Sequence, residues 1–146
     1  MSKIKILDNF FDDEDLLFFN KLVESEGKTQ TIREIPEISK KVNDKYKDKL
    51  NSIGVTSIEK YVSISCSNSG VGRHKDEKLG DYTHKILIYL NDVPNGGTII
   101  FDGGKDIKIE NKANKLVLFD ISLEHMSEKF DMKYKKKAIG FRPIMA

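Results

Sequence analysis

The stretch "HKILIYLND" at residues 84–92 decides how this chain is read. Its residues alternate with the period of a strand, so Lys85, Leu87, Tyr89 and Asn91 share one face and His84, Ile86, Ile88 and Leu90 share the other. One row is apolar beyond His84 and the other carries polar ends, which is expected of a strand with a core behind it and a cavity in front. Working outward, the same period, punctuated by Gly, Asn and Asp, predicts further strands at 58–66, 72–76, 97–101, 106–110, 115–121 and 136–143. Before residue 58 the pattern is helical. Asp12 and Asp13 stand as capping residues before a stripe of Leu16, Phe19 and Val23, with Gly27 as the stop. A second helix is predicted to start near Pro36 and to run through Ile38, Val42, Tyr46 and Leu50. Helices followed by many short strands imply an α+β chain, a jelly roll preceded by two N-terminal packing helices. The expected organisation is one domain over 1–146, with 1–57 mainly helical support and 58–146 the jelly-roll core.

Composition narrows the function without naming it. The 146 residues carry 25 basic and 23 acidic side chains, a net charge of +2, so no strong field selects nucleic acid or a membrane surface. "KYKKK" at 133–137 is the only dense basic run. The opening "MSKIKILDNFF" lacks the apolar centre of a signal peptide, and no apolar run approaches the roughly 20 residues of a membrane span. The expectation is a soluble, cytoplasmic protein. Cys66 is the single cysteine, so a thiolate cluster is excluded and any metal must be held through nitrogen and oxygen; Cys66 itself reads as a small core residue.

Three residues offer such donors. His74 and Asp76, in "RHKD", are two apart and share a face if the segment is extended, so an imidazole and a carboxylate can point at one ion. His125 comes after the apolar run "KLVLFDIS" in "SLEHMSEK", where a strand is expected to end and a loop to begin. Two His and one carboxylate occupy one face of an octahedron and leave positions open, an arrangement suited to non-haem Fe(II). An H-x-D triplet by itself is more often a surface pair, and a lone histidine after a strand is more often solvated. This set is raised by the order of the motifs downstream of His74.

That order resembles the Fe(II)- and 2-oxoglutarate-dependent dioxygenases, in their prolyl-4-hydroxylase-like branch. "HKD", "ILIYLND", "GGTIIF", "LFDISLEH" and a last strand "KKAIGFRPI" occur in the family's sequence, from about Tyr61 to Arg142, and "DNFFDDEDLLFFNKL" looks like its N-terminal helix. The resemblance implies a double-stranded β-helix of the jelly-roll type, with His74, Asp76 and His125 as iron ligands. It implies that Lys136 pairs with the distal carboxylate of 2-oxoglutarate, that Tyr89 donates a hydrogen bond to it, and that Arg142 reaches the metal-side carboxylate as in the nucleic-acid demethylase branch. Lys135, Lys137 and Lys85 stay open as alternatives to Lys136. It further implies O2 as oxidant, succinate as co-product, ascorbate as a possible reductant, and hydroxylation rather than halogenation, since Asp76 is a carboxylate.

The chain also departs from that pattern. The tyrosine common shortly before H-x-D has no counterpart in "SISCSNSGVGRH", and Arg142 stands where a tryptophan is common. A protein or peptide substrate, bearing a proline or another side chain to be hydroxylated, is the expectation. A nucleobase or small molecule with the same cofactors, a cupin-like enzyme without co-substrate, and a non-enzymatic jelly-roll binding module are the rivals. Substrate residues are not legible. His84 reads as a strand-edge residue, Tyr89 without the resemblance as a core aromatic, and Gly96 and Gly97 as turn chemistry.

Overall fold

The computed structural model describes residues 3–26, 31–68, 71–76 and 82–146. In chain order these form β1 (Ile4–Leu7), α1 (Asp13–Glu26), β2 (Thr31–Glu34), α2 (Pro36–Lys45), α3 (Lys47–Ser52) and β3 (Val55–Ser67). Then come β4 (His84–Tyr89), β5 (Thr98–Asp102), β6 (Lys105–Ile109), β7 (Leu116–Asp120), β8 (Glu124–Ser127) and β9 (Lys136–Met145). Gly27, read as a helix stop, and the greater part of the short segment from Glu77 to Thr83 lie outside the described residues. Among the described residues no helix is long and apolar enough to cross a membrane.

Helix α1 begins where its acidic residues allow it to. The Asp12 carboxylate accepts the Asp15 N–H at 2.8 Å, which satisfies one of the orphan donors of the first turn. Pro36 opens α2, whose first turn does not need the missing N–H. The second predicted helix is broken in two, which corrects the continuous reading to Leu50. Tyr46 leaves helical geometry (φ −112°, ψ 21°) between α2 and α3. Its ring lies 4.9 Å from that of Phe10, and its hydroxyl accepts the Asp12 N–H and donates to Asp15, so the break locks α2 and α3 to the start of α1. The apolar stripe survives the break: Ile38, Val42, Tyr46 and Leu50 are all buried.

Two antiparallel sheets complete the fold, a larger one in the order β1-β7-β4-β9-β3-β2 and a smaller one in the order β6-β5-β8. The edge strands β1 and β2 lie in the region read as helical; they are four residues each, charged and short, as edges that must not recruit further strands tend to be. The outer face of the large sheet, through Ile64, Ile86, Ile88, Leu118 and Ile139, shares one buried cluster with Phe19, Val23, Val42 and Leu50 of the helices. Its inner face meets the small sheet in a second cluster of Tyr89, Ile100, Ile109, Val117 and Phe119. Each such side chain contributes roughly 1.5–3 kcal/mol of burial. Gly97, just before β5, lies against the end of β6 in the small sheet: a Cβ there would lie 2.0 Å from the Ile109 carbonyl oxygen, so no other residue fits.

The predicted strand 72–76 is not one. Only His74 pairs, in an isolated bridge to His125, and the segment is held to β8 by His74 N–H to His125 O at 3.0 Å, the return bond at 2.9 Å, and Ser127 N–H to Val71 O at 3.0 Å. The same bonds correct the other end: His125 lies within β8 rather than in a loop, because the chain re-enters the small sheet there instead of leaving it.

Candidate metal centre and its cavity

The bridge between His74 and His125 brings two imidazoles from distant parts of the chain to a ring-centroid separation of 4.3 Å. Asp76, two residues past His74, completes the group: its Oδ1 lies 3.4 Å from His74 Nε2 and 3.3 Å from His125 Nε2. One ligand atom from each of the three residues lies within 4.8 Å of the others. His125 is buried, its ring braced edge-on by Phe119 at 4.9 Å, while the His74 side chain keeps 37% of its exposure and faces the opening.

The partners of the imidazoles set the proton positions. His74 Nδ1 lies 2.7 Å from the Gly72 carbonyl and His125 Nδ1 lies 3.3 Å from the Leu123 carbonyl. A carbonyl only accepts, so each Nδ1 donates to its carbonyl and each Nε2 is the ring nitrogen turned toward Asp76. Burial works to raise the Asp76 pKa, but the His125 hydrogen bond and the Lys85 charge outweigh it and hold the carboxylate well below its usual range. Lys85 Nζ stands 3.2 Å from Oδ2, yet without hydrogen-bond geometry, and Oδ2 is buried with no hydrogen-bond donor. Two imidazole nitrogens and an ionised carboxylate oxygen brought this close form a donor set that a divalent cation fits.

A cavity of about 110 Å³ opens beside the triad, a size for a small acid rather than a drug-sized ligand. Its walls come from the alternation that marks the strands. On β3 the row Ser63, Ser65, Ser67 faces in while Val62, Ile64 and Cys66 join the core. On β9 Lys136, Ala138 and Gly140 face in; a Cβ on Gly140 would stand 3.2 Å from Ser63 Cβ and from the Ile86 carbonyl oxygen, so glycine keeps that wall thin. Lys136 is 9% exposed, and among the described residues its ammonium has no ion pair or hydrogen bond, only the Tyr89 ring 5.3 Å away. Desolvation brings its pKa down to about 8, with Glu128 opposing weakly.

The other residues singled out by sequence are distributed around this centre. Lys137 Nζ pairs with Glu24 on the outside, and the Lys135 backbone carbonyl caps Asn91. Tyr89 is fully buried and its hydroxyl is engaged with Thr98 Oγ1, while Thr98 itself lines the cavity. Arg142 does not line it; the guanidinium is stacked over Tyr61 at 4.6 Å and Tyr82 at 4.8 Å. His84 is occupied with the Thr83 hydroxyl at 2.8 Å and stays apart from the triad. Sequence reasoning missed Thr98 and the serine row. The signal for the serines was present in "VSISCS", where small hydroxyls alternate with Val62, Ile64 and Cys66; Thr98 had none beyond its place after Gly97.

No family model and no curated protein matches the sequence. Solved structures do. A prolyl hydroxylase from Trichoplax adhaerens, in complex with a hypoxia inducible factor oxygen degradation domain peptide fragment, superposes with a TM-score of 0.73 at 18% identity, covering 98% of this chain and 84% of that one. The viral collagen prolyl hydroxylase of Paramecium Bursaria Chlorella virus-1, in its 2-oxoglutarate complex, gives 0.71 at 15% identity over 99% and 97%. SnoK, a non-heme alpha-ketoglutarate-dependent carbocyclase of nogalamycin biosynthesis, gives 0.73 at 14% identity over 99% and 80%. The chain therefore has the jelly-roll-like fold of the 2-oxoglutarate–Fe(II) oxygenases, with prolyl hydroxylases among its structural neighbours.

Proposed function

We propose that this chain, acting as one domain, is an Fe(II)- and 2-oxoglutarate-dependent dioxygenase that hydroxylates an amino-acid side chain of a peptide, peptidyl proline foremost. The observation that carries it is the pairing of two features in one cavity: a His-Asp-His donor set, and a buried lysine that has no counter-ion among the described residues. An unpaired ammonium so enclosed is costly unless an anion comes to it, and a small dicarboxylate does that while its other end reaches the metal. When bound, Fe(II) with 2-oxoglutarate and O2 supplies the oxidation, releasing succinate and CO2 and placing oxygen on a C–H bond.

The protein's own residues do the rest. His74, Asp76 and His125 would hold the metal; Lys136 would anchor the distal carboxylate, with Thr98 held in place by Tyr89 at the cavity wall. Lys136 is favoured over Lys85 because Lys85 is already paired with Asp76, and over Lys137 because that side chain turns outward to Glu24. A peptide substrate is supported by the neighbour that carries one. A nucleobase substrate is the second reading, supported by the Arg142 guanidinium stacked against Tyr61 and Tyr82, a position from which Arg142 would have to move to reach a co-substrate carboxylate in the cavity; steep salt dependence of single-strand binding would favour it.

The test is anaerobic. Fe(II) and then 2-oxoglutarate are titrated into the protein and into His74→Ala, and the visible charge-transfer band of a chelated keto acid is monitored. The band is expected in the parent only. Iron uptake without a band would favour a metal enzyme that ignores 2-oxoglutarate, and no iron uptake would overturn the enzyme reading.

A further inference from the structure

Lys85 stands on the cavity-facing row of β4, and its most direct contact is with the metal-ligand carboxylate rather than with open space. The two oxygens of Asp76 have different company: Oδ1 faces both Nε2 atoms at 3.3 and 3.4 Å, whereas Oδ2 faces Lys85 Nζ at 3.2 Å. The side chains are 20% and 15% exposed, so water screens this pair little. Oδ2 accepts no hydrogen bond, so the attraction acts through charge and not through a directional bond.

The pair acts in both states of the site. Without a cation, Asp76 is a largely enclosed anion whose Oδ2 side has the Lys85 ammonium as its compensating charge. With a cation across Nε2, Nε2 and Oδ1, a chelating carboxylate would have to turn Oδ2 inward, away from the ammonium. We propose that Lys85 is a positioning residue of the metal centre: it keeps Asp76 aimed when the site is empty and restricts it to one donor oxygen when the site is filled, leaving coordination positions for other ligands. This rests on the reading of His74, Asp76 and His125 as metal ligands.

The test compares the parent with Lys85→Met, Lys85→Arg, Asp76→Asn and the Asp76→Asn/Lys85→Met double variant, using the thermal midpoint of metal-free protein and the visible d–d absorption of the Co(II) form. Lys85→Met is expected to lower the metal-free midpoint by roughly 5 °C, to do so no longer in the Asp76→Asn background, and to weaken the Co(II) band as the coordination number rises. Lys85→Arg is expected to restore both. A midpoint loss that persists with Asp76→Asn would make Lys85 a packing residue and overturn the proposal. So would a Lys85→Met protein unchanged in midpoint and band but altered in 2-oxoglutarate affinity, which would make Lys85 a co-substrate ligand. Failure of the parent to take up Co(II) would sink the metal-centre reading and this proposal with it; normal uptake with an indistinguishable Lys85→Met protein would sink the proposal alone.

Discussion

Two aspartates, Asp15 buried in the helical layer and Asp76 half-buried at the cavity, meet lysines in different ways. Asp15 is 2% exposed and completely served: Lys41 lies 2.9 Å from one oxygen, Lys45 2.8 Å from the other, and the Tyr46 hydroxyl donates as well. Burial would raise its pKa, but Lys45, Tyr46 and Lys41 together hold it down to about 2. Among the described residues Asp76 has three charged or imidazole neighbours, all at 3.2 Å or beyond, and one oxygen without a hydrogen bond. The difference separates a charge fully served by its neighbours from one whose surroundings leave room for a further positive partner. Complete satisfaction is what a structural charge needs, and incomplete satisfaction persists where a ligand completes it.

The sharpest way to break this comparison is at the incomplete site. His125→Ala is expected to reduce Fe(II) or Mn(II) affinity by about 100-fold or more, since a tridentate site loses a third of its protein donors. The metal-free protein should lose comparatively little stability, because the imidazole covers apolar Phe119 but holds no other element in place. Isothermal titration and thermal melting read the two quantities; retained affinity would make the triad an accident of the bridge.

Next in size is the other end of the cavity. Lys136→Met keeps the apolar stem against Tyr89 and removes the charge, so 2-oxoglutarate binding to the Fe(II) form should weaken roughly 100-fold with metal affinity unchanged. Lys137→Met, which loses only an outward pair with Glu24, should leave co-substrate binding alone. The reverse result would reassign the anion site.

The helical aspartate is tested through stability. Asp15→Asn removes the charge that two half-exposed lysines and the Tyr46 hydroxyl share, although Lys45 keeps Asp12, and is expected to cost about 1–2 kcal/mol, read as a lower denaturant midpoint, with 2-oxoglutarate turnover per folded molecule preserved. The pH sign is fixed by the lowered pKa. The stabilisation is complete above the ordinary carboxylate value of 3.8 and is lost as pH falls through about 2, so the parent and Asp15→Asn curves should converge in acid.

How much of this was legible differs between the two layers for a physical reason. The cavity faces were readable because strand alternation is strict: Lys85 and Leu87, or Lys136 and Ala138, face one way whatever the loops do. The triad was readable from order alone, yet its geometry was not. His74 and Asp76 converge without forming a strand, and His125 turns inward because β8 pairs with the 71–74 segment, a long-range choice that no local pattern encodes. The break at Tyr46 was hidden for the same reason. The 3.6 period runs unbroken through Val42 and Leu50, and only the tertiary demand of Asp15 and Phe10 on the tyrosine interrupts the backbone. The edge strands β1 and β2 escaped because segments of four residues carry too little periodicity to register.

The last expected effect is the one that treats a single group in two ways. Desolvation sets the Lys136 pKa near 8 in the empty cavity, against 10.5 for an ordinary lysine. Between those values the unfolded chain holds a proton that the folded one has released, so metal-free stability should rise with pH from about 8 to 10.5. Co-substrate affinity should run the opposite way. Below pH 8 the ammonium is already charged and receives the dicarboxylate directly; above it, binding must first draw a proton from solvent, and affinity should fall by up to about 10-fold per pH unit. Both slopes belong to one side chain, so both should be absent from the Lys136→Met curves and appear whole in the difference between parent and variant. A fall in affinity that survives that substitution would place the titrating group elsewhere. A stability rise that survives it would mean that the cavity does not strip Lys136 of water, and the contrast between a finished and an unfinished charge would then rest on Asp76 alone.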